Sequence, residues 1–281
     1  MNNKFAVSTN TYHGFSLDEA LEGIAQAGFK YVELTGVTGW TEHVNWQMSD
    51  TEISALKEKL SRQGLSAIAL SGHCNIIAPE GENAFLHNLE LAARLGCKYI
   101  VTGTGETHGD KEVVEDESIL VASLNRIVTR GEELGVCTVL ETHGNNYNTG
   151  QAMYQLVSQI DSDFLGINYD TANVIFYGKV RPEEDIVNGI SRLKFIHLKD
   201  KAGADHAWNF PAIGKGFLDF PKIFALLDTH HYTDPLSIDI EITPEGPGSD
   251  DAVHQAVKDS FDYLQTILYS EKGGDVCFTL E

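Results

Sequence analysis

One phrase recurs four times in the first half of the chain: a stretch with helical spacing, then a glycine, then at once a strand-like apolar run. The glycines are Gly28, Gly64, Gly96 and Gly135, and the runs are FKYVEL (29–34), LSAIAL (65–70), CKYIVT (97–102) and VCTVLE (136–141). Glycine suits the position just past a helix because it enters the left-handed region without a Cβ penalty. The repeat distances of 36, 32 and 39 residues hold one strand, one helix and two loops. Ser16-Leu17-Asp18-Glu19 and Ser49-Asp50-Thr51-Glu52 read as capping boxes, in which Ser and Glu satisfy free backbone N–H groups. Behind them Leu17, Leu21 and Ile24, then Ile53, Leu56 and Leu60, recur at helical spacing. Further on, FLGINY (164–169), LKFIHL (193–198) and LSIDIEI (236–242) alternate with helices expected over 182–191, 220–231 and 250–269, and FAVST (5–9) supplies a first strand.

Strict alternation of eight strands and about eight helices implies parallel strands joined by crossover helices. The expectation is an α/β chain forming one closed (β/α)8 TIM barrel over residues 1–281, with 270–281 a C-terminal tail of no assigned role. No GxGxxG follows the first strand, which disfavours a dinucleotide-binding sheet. The 41 acidic residues against 20 basic ones give a net charge of −21. A grip on nucleic acid or anionic membrane needs a cationic footprint, so neither is an expected partner. Cys74, Cys97, Cys137 and Cys277 form no CxxC pair. The N-terminus lacks the apolar core of a secretion signal, and no apolar stretch approaches the ~18 residues of a membrane helix. A cytoplasmic protein is expected.

In such a barrel the chemistry sits at the C-terminal ends of the strands. Strand five ends in Glu141, strand six runs into Asp170, strand seven carries His197, and strand eight carries Glu241. Alternation turns Ser237, Asp239 and Glu241 toward the barrel axis, as it does Cys137, Val139 and Glu141, and Gly166, Asn168 and Asp170. Four potential ligands therefore converge at one rim. Three carboxylates so confined repel one another unless a cation neutralises them. Oxygen-rich ligation with one imidazole suits Mn2+, Mg2+ or Co2+, with Zn2+ also compatible.

The order Glu, Asp, His, Glu on strands five to eight resembles the xylose-isomerase-like barrel superfamily of sugar isomerases and epimerases. That group also holds inosose dehydratases and an endonuclease that cuts abasic DNA. The resemblance rests on LETHGNN (140–146), NYDTANVIFYG (168–178), FIHLKDK (195–201), WNFPAIGKGFLDFPKIFALL (208–227), DIEI (239–242) and, earlier, SGHCNI (71–76). It implies that Glu141, Asp170, His197 and Glu241 bind one catalytic divalent metal, Mn2+ first. It also implies proton transfer on a keto-carbohydrate or cyclitol through a metal-stabilised enediolate, with Glu141 and Glu241 as the acid/base pair. The alternative on the same scaffold is a lyase of the inosose-dehydratase type. A non-catalytic sugar-binding protein is a third reading. A homodimer is the expected assembly.

Around these, His143 is a candidate for a substrate hydroxyl or a relay, or it orders its loop. Lys199 can neutralise an oxyanion or pair with a carboxylate. His73 lines the rim or packs beneath it, and Glu33 and Glu106 read as structural carboxylates. Trp208 offers an indole face to a sugar ring, with Trp40 and Trp46 opposite. Gly214-Lys215-Gly216 reads as a tight turn more than a phosphate loop. Two positions depart from the resembled ketose 3-epimerase branch: Asn173 stands where a histidine is usual, leaving Asn173 a candidate substrate contact, and Gly203 stands where an arginine is usual. The abasic-site endonuclease also needs a histidine at position 173. With no guanidinium at the rim, Lys199, Lys201 and Lys215 are the cations left to meet a phosphorylated substrate.

Overall fold

Eight strands pair side by side, each parallel to the next, and the last pairs with the first to close a barrel. The computed structural model describes residues 3–105, 116–244 and 246–270. The strands are β1 (Phe5–Ser8), β2 (Tyr31–Thr35), β3 (Ser66–Ser71), β4 (Tyr99–Thr102), β5 (Cys137–Glu141), β6 (Leu165–Asp170), β7 (Leu193–Leu198) and β8 (Leu236–Ile238). The helices are α1 (Leu17–Ala27), α2 (Asp50–Arg62), α3 (Pro79–Leu95), α4 (Glu117–Leu134), α5 (Gly150–Val157), α6 (Asn173–Phe176), α7 (Pro182–Gly189), α8 (Phe220–Thr229) and α9 (Asp250–Ser270). This is the expected (β/α)8 TIM barrel. Glu106 and most of the tail lie outside the described residues.

Local chemistry sets the elements as the sequence implied. Both capping boxes form, at Ser16/Glu19 and Ser49/Glu52. Gly28, Gly96 and Gly135 close α1, α3 and α4 in the left-handed region. Where α1 meets α9, Gly23 is required for closeness: a Cβ there would lie 2.1 Å from the Tyr12 hydroxyl and from His254 Cδ2.

Apolar residues divide into two clusters. The larger lies between strands and helices; the smaller, with Ala6, Val101, Cys137, Val139 and Phe195, fills the inside of the barrel. Above it the inward positions become polar: Glu33, Asn168, Asp170, His197, Ser237 and Asp239 are all buried. Register places them. Asp170 lies opposite His197, and Ser8 opposite Glu33. The β2–β3 ladder shifts between Val32 and Glu33, and the β6–β7 ladder between Ile167 and Asn168, so a bulge sits just below two charged positions. Bulges near active sites commonly re-aim side chains in this way.

The last strand is shorter than the expected 236–242. Ile240 N–H donates to the Thr11 hydroxyl at 3.0 Å rather than to a strand carbonyl, which ends the ladder. Glu241 instead pairs antiparallel with Phe210, each N–H bonding the other's carbonyl. Its carboxylate thereby joins the rim on a loop. Helix α6 is an extra turn that the sequence reading did not separate.

Candidate active site

Glu141, Asp170 and His197 end adjacent strands, and one ligand atom from each lies within 4.8 Å of the others. Every polar atom of His197 is engaged. Nδ1 lies 3.0 Å from Glu141 Oε1 and 4.0 Å from Asp170 Oδ2, while Nε2 meets both carboxylate oxygens of Glu33 at 3.1 and 3.0 Å. Glu141 Oε2 is held by His73 Nε2 at 2.8 Å, and the Asn173 amide donates at 3.3 Å to Oε1, the oxygen that faces His197. His73 is fixed in turn by Ser71 Oγ at 3.1 Å. Asp170 Oδ1 accepts the backbone N–H groups of Ala172 and Asn173, which start α6.

Beside this trio Lys199 is buried among carboxylates. Its Nζ lies 2.7 Å from Asp239, 2.9 Å from Glu241 and 3.4 Å from Asp170, and 5.2 Å above the Phe210 ring. The other Glu241 oxygen accepts from the Asn10 amide at 2.9 Å. Asn10 Oδ1 accepts from the Trp40 indole at 3.0 Å and the Thr41 hydroxyl at 2.9 Å. One wall of the cleft is thus tied to one of its acids.

These contacts move the charges. Burial alone would raise Glu141, but His197 and His73 hold it well below the usual carboxylate range. Burial pushes Asp170 up to about 7, with Glu141 adding to the rise and Lys199 opposing it. Glu241 is raised by burial and by Asp239, against the pull of Lys199. Burial would lower Lys199, yet Asp170, Asp239 and Glu241 carry it well above the ordinary lysine value. His143 is pushed down to about 4 by burial, so at neutral pH it is an uncharged imidazole.

The cleft holds about 490 Å³, its open mouth included. Its lining brings together Glu141, His197, Glu241, His143, Lys199, His73, Trp208 and Asn173, with Trp40, Tyr177, Phe210 and Asp239. Asp170 sits in the wall behind them, against Lys199 and Asn173. His143 faces the Tyr177 hydroxyl at 3.2 Å.

Several rim expectations separate here. Trp46 does not reach the cleft; it stacks on His87 at 4.6 Å on the outer surface. Lys201 donates to the carbonyls of Ala202 and Ala204, and Lys215 pairs with Asp259. Gly214-Lys215-Gly216 is a turn wrapped on Asp200: that carboxylate takes the N–H groups of Gly214 and Gly216 at 2.9 and 2.8 Å. Glu33, read as structural, is in direct contact with the site. Asn10, Tyr177 and Phe210 were missed. Asn10 follows the first strand, a position the barrel rule points to; the other two lie in segments quoted for their neighbours.

The donor set fits a divalent cation. Asp170 Oδ2 is buried and accepts no hydrogen bond, and two hard carboxylates with one borderline imidazole suit a divalent ion of the Mn2+ kind. Glu141, Asp170 and His197 could hold the ion. Glu241 stands apart from the trio, with Lys199 between it and Asp170.

Comparison with known proteins agrees with the architecture. A D-psicose 3-epimerase from Clostridium cellulolyticum H10 superposes with a TM-score of 0.75 at 15% identity, over 94% of this chain and 99% of that one. A xylose isomerase-like TIM barrel protein from Mycobacterium smegmatis, in complex with magnesium, gives 0.76 at 15% identity, over 95% and 97%. At these identities the likeness is one of fold. In sequence, a probable endonuclease 4 from Geotalea daltonii is 28% identical over 187 residues, 57% of this chain and 66% of that protein. The chain thus spans about two thirds of that relative's length. Residues 21–267 match the family described as xylose isomerase-like TIM barrel, and the chain belongs to that family.

Proposed function

We propose that this protein is a divalent-metal-dependent sugar isomerase or epimerase acting on an uncharged keto-carbohydrate or cyclitol. The observation that carries the reading is the trio Glu141, Asp170 and His197, set beside two further carboxylates in a cleft with aromatic walls. A cation on that trio, Mn2+ by preference, would supply Lewis-acid polarisation of a substrate carbonyl and its neighbouring hydroxyl. The chain's own groups do the rest. Trp40, Trp208, Phe210 and Tyr177 offer ring faces and edges to a sugar. Glu241 and Glu141 exchange a proton with the carbon beside the carbonyl. Lys199 and Asn10 orient Glu241 through its two oxygens.

An uncharged substrate follows from the cations. Among the described residues no arginine lines the cleft, and Lys199 is committed to three carboxylates. Lys201 and Lys215 are engaged elsewhere. The likeness to an endonuclease invites a nucleic-acid substrate, but an acidic cleft on a chain of net charge −21 disfavours a phosphate backbone.

The test is incubation of the Mn2+-loaded protein with a panel of ketoses and inososes in D2O, followed by NMR. Epimerisation or isomerisation leaves deuterium on the carbon that exchanged. An unsaturated carbonyl instead assigns the lyase reaction. Metal binding with neither outcome across the panel would refute an enzyme of this class and leave the sugar-binding reading.

A further inference from the structure

Among the described residues, Glu33 is the one carboxylate at the site that comes from the opposite half of the chain, 164 residues before His197. It is fully buried on β2, and both of its oxygens converge on a single atom, His197 Nε2, at 3.1 and 3.0 Å. Among the described residues Glu33 makes no other hydrogen bond or ion pair. The register shift between Val32 and Glu33 lies immediately before it.

We propose that Glu33 is a positioning residue that fixes the ring of His197, holding the proton on Nε2 and presenting Nδ1 as the ligand atom. The proposal rests on the metal-site reading above. The geometry leaves one choice of ring face. With Nε2 enclosed by the Glu33 carboxylate, only Nδ1 points at the other two members of the trio, Glu141 Oε1 at 3.0 Å and Asp170 Oδ2 at 4.0 Å. A metal-ligating imidazole usually donates its second N–H to a carboxylate or carbonyl, and loss of that acceptor typically costs about 10–100-fold in metal affinity. A carboxylate here does two things: it accepts the Nε2 proton, and through it raises the donor strength of Nδ1. A purely structural ion pair would need neither the double contact on one nitrogen nor the aim of the other nitrogen at the trio.

The experiment compares wild type, Glu33→Gln and Glu33→Leu. Glutamine keeps a neutral acceptor of the same shape; leucine removes it. Co2+ affinity by calorimetry should fall about tenfold in Glu33→Gln and nearer 100-fold in Glu33→Leu. In the Zn2+-loaded wild type, 15N NMR should place the proton on His197 Nε2 and the metal shift on Nδ1, with the signal assigned by its loss in His197→Asn. If wild type binds metal and both variants match it within about twofold, or if the metal sits on Nε2, the proposal is overturned while the function stands. If wild type takes up no metal, the proposed function fails instead. The metal-free protein then decides the Glu33 contact: a slowly exchanging Nε2 proton in wild type and Glu33→Gln, missing from Glu33→Leu, sustains it, and equal exchange in all three removes it.

Discussion

Replacing Lys199 by methionine keeps the length of the side chain and deletes its charge. In the metal-free protein this strands Asp239, Glu241 and Asp170, which lie 2.7, 2.9 and 3.4 Å from the ammonium with their side chains 6%, 11% and 0% exposed. Removing one partner from a buried ion pair costs about 3–5 kcal/mol, because the other charge is left uncompensated. The unfolding entropy of about 2.1 cal/mol/K per residue gives about 0.6 kcal/mol/K for a chain of 281 residues. The melting temperature of Lys199→Met should therefore fall by about 5–8 °C in chelator-treated protein, read by differential scanning calorimetry at neutral pH. Adding Asp239→Asn should recover part of that loss, since it removes one of the stranded carboxylates. Mn2+ should then stabilise Lys199→Met more than wild type, because cation and ammonium compete for Asp170. A Lys199→Met melt within about 1 °C of wild type, unchanged by Asp239→Asn, would refute the view that Lys199 is the internal counter-ion of this cleft.

Two further outcomes test other parts of the site. Asp170→Asn removes the charge of a buried carboxylate whose Oδ2 accepts no hydrogen bond and meets only the Lys199 ammonium at 3.4 Å and His197 Nδ1 at 4.0 Å, and should reduce Mn2+ affinity by at least about tenfold in calorimetry while far-UV circular dichroism is unchanged. Asp200→Ala leaves the N–H groups of Gly214 and Gly216 without their acceptor, and should destabilise the protein by about 1–3 kcal/mol in urea unfolding.

The barrel was legible because its signals are local. A glycine closing a helix and a capping box opening one depend on a few consecutive residues, and repetition did the rest. Asp170 and His197 were legible for the same reason, since alternation along each strand tells which side chains face inward. What escaped was long-range. Glu33 reads as one more acidic strand residue until the closed barrel puts it against His197. Asn10 gains its role only from Trp40 and Glu241, which lie far from it in sequence. The end of β8 was misplaced because the Thr11 hydroxyl, from the other end of the chain, takes the place of a ladder partner. Trp40 and Trp46 sit six residues apart and read alike; only the fold sends one to the cleft and the other to His87.

The charges at the site also bear on what it can accept. Five carboxyl groups, those of Glu33, Glu141, Asp170, Asp239 and Glu241, face Lys199, His197 and His73. With both imidazoles counted as charged and every carboxyl ionised, the negative groups outnumber the positive by two, and His143 adds nothing because burial keeps it neutral. A divalent ion on the trio balances that excess, and a phosphate group in the same cleft adds to it. A free sugar and its phosphate ester should therefore separate, with the ester binding at least about tenfold more weakly to the Mn2+-loaded protein and recovering as salt screens the repulsion. Calorimetric titration of the pair at low and high ionic strength reads this directly. Tighter binding of the ester, weakened by salt, would mean a cationic subsite in the cleft and would overturn the assignment of an uncharged substrate.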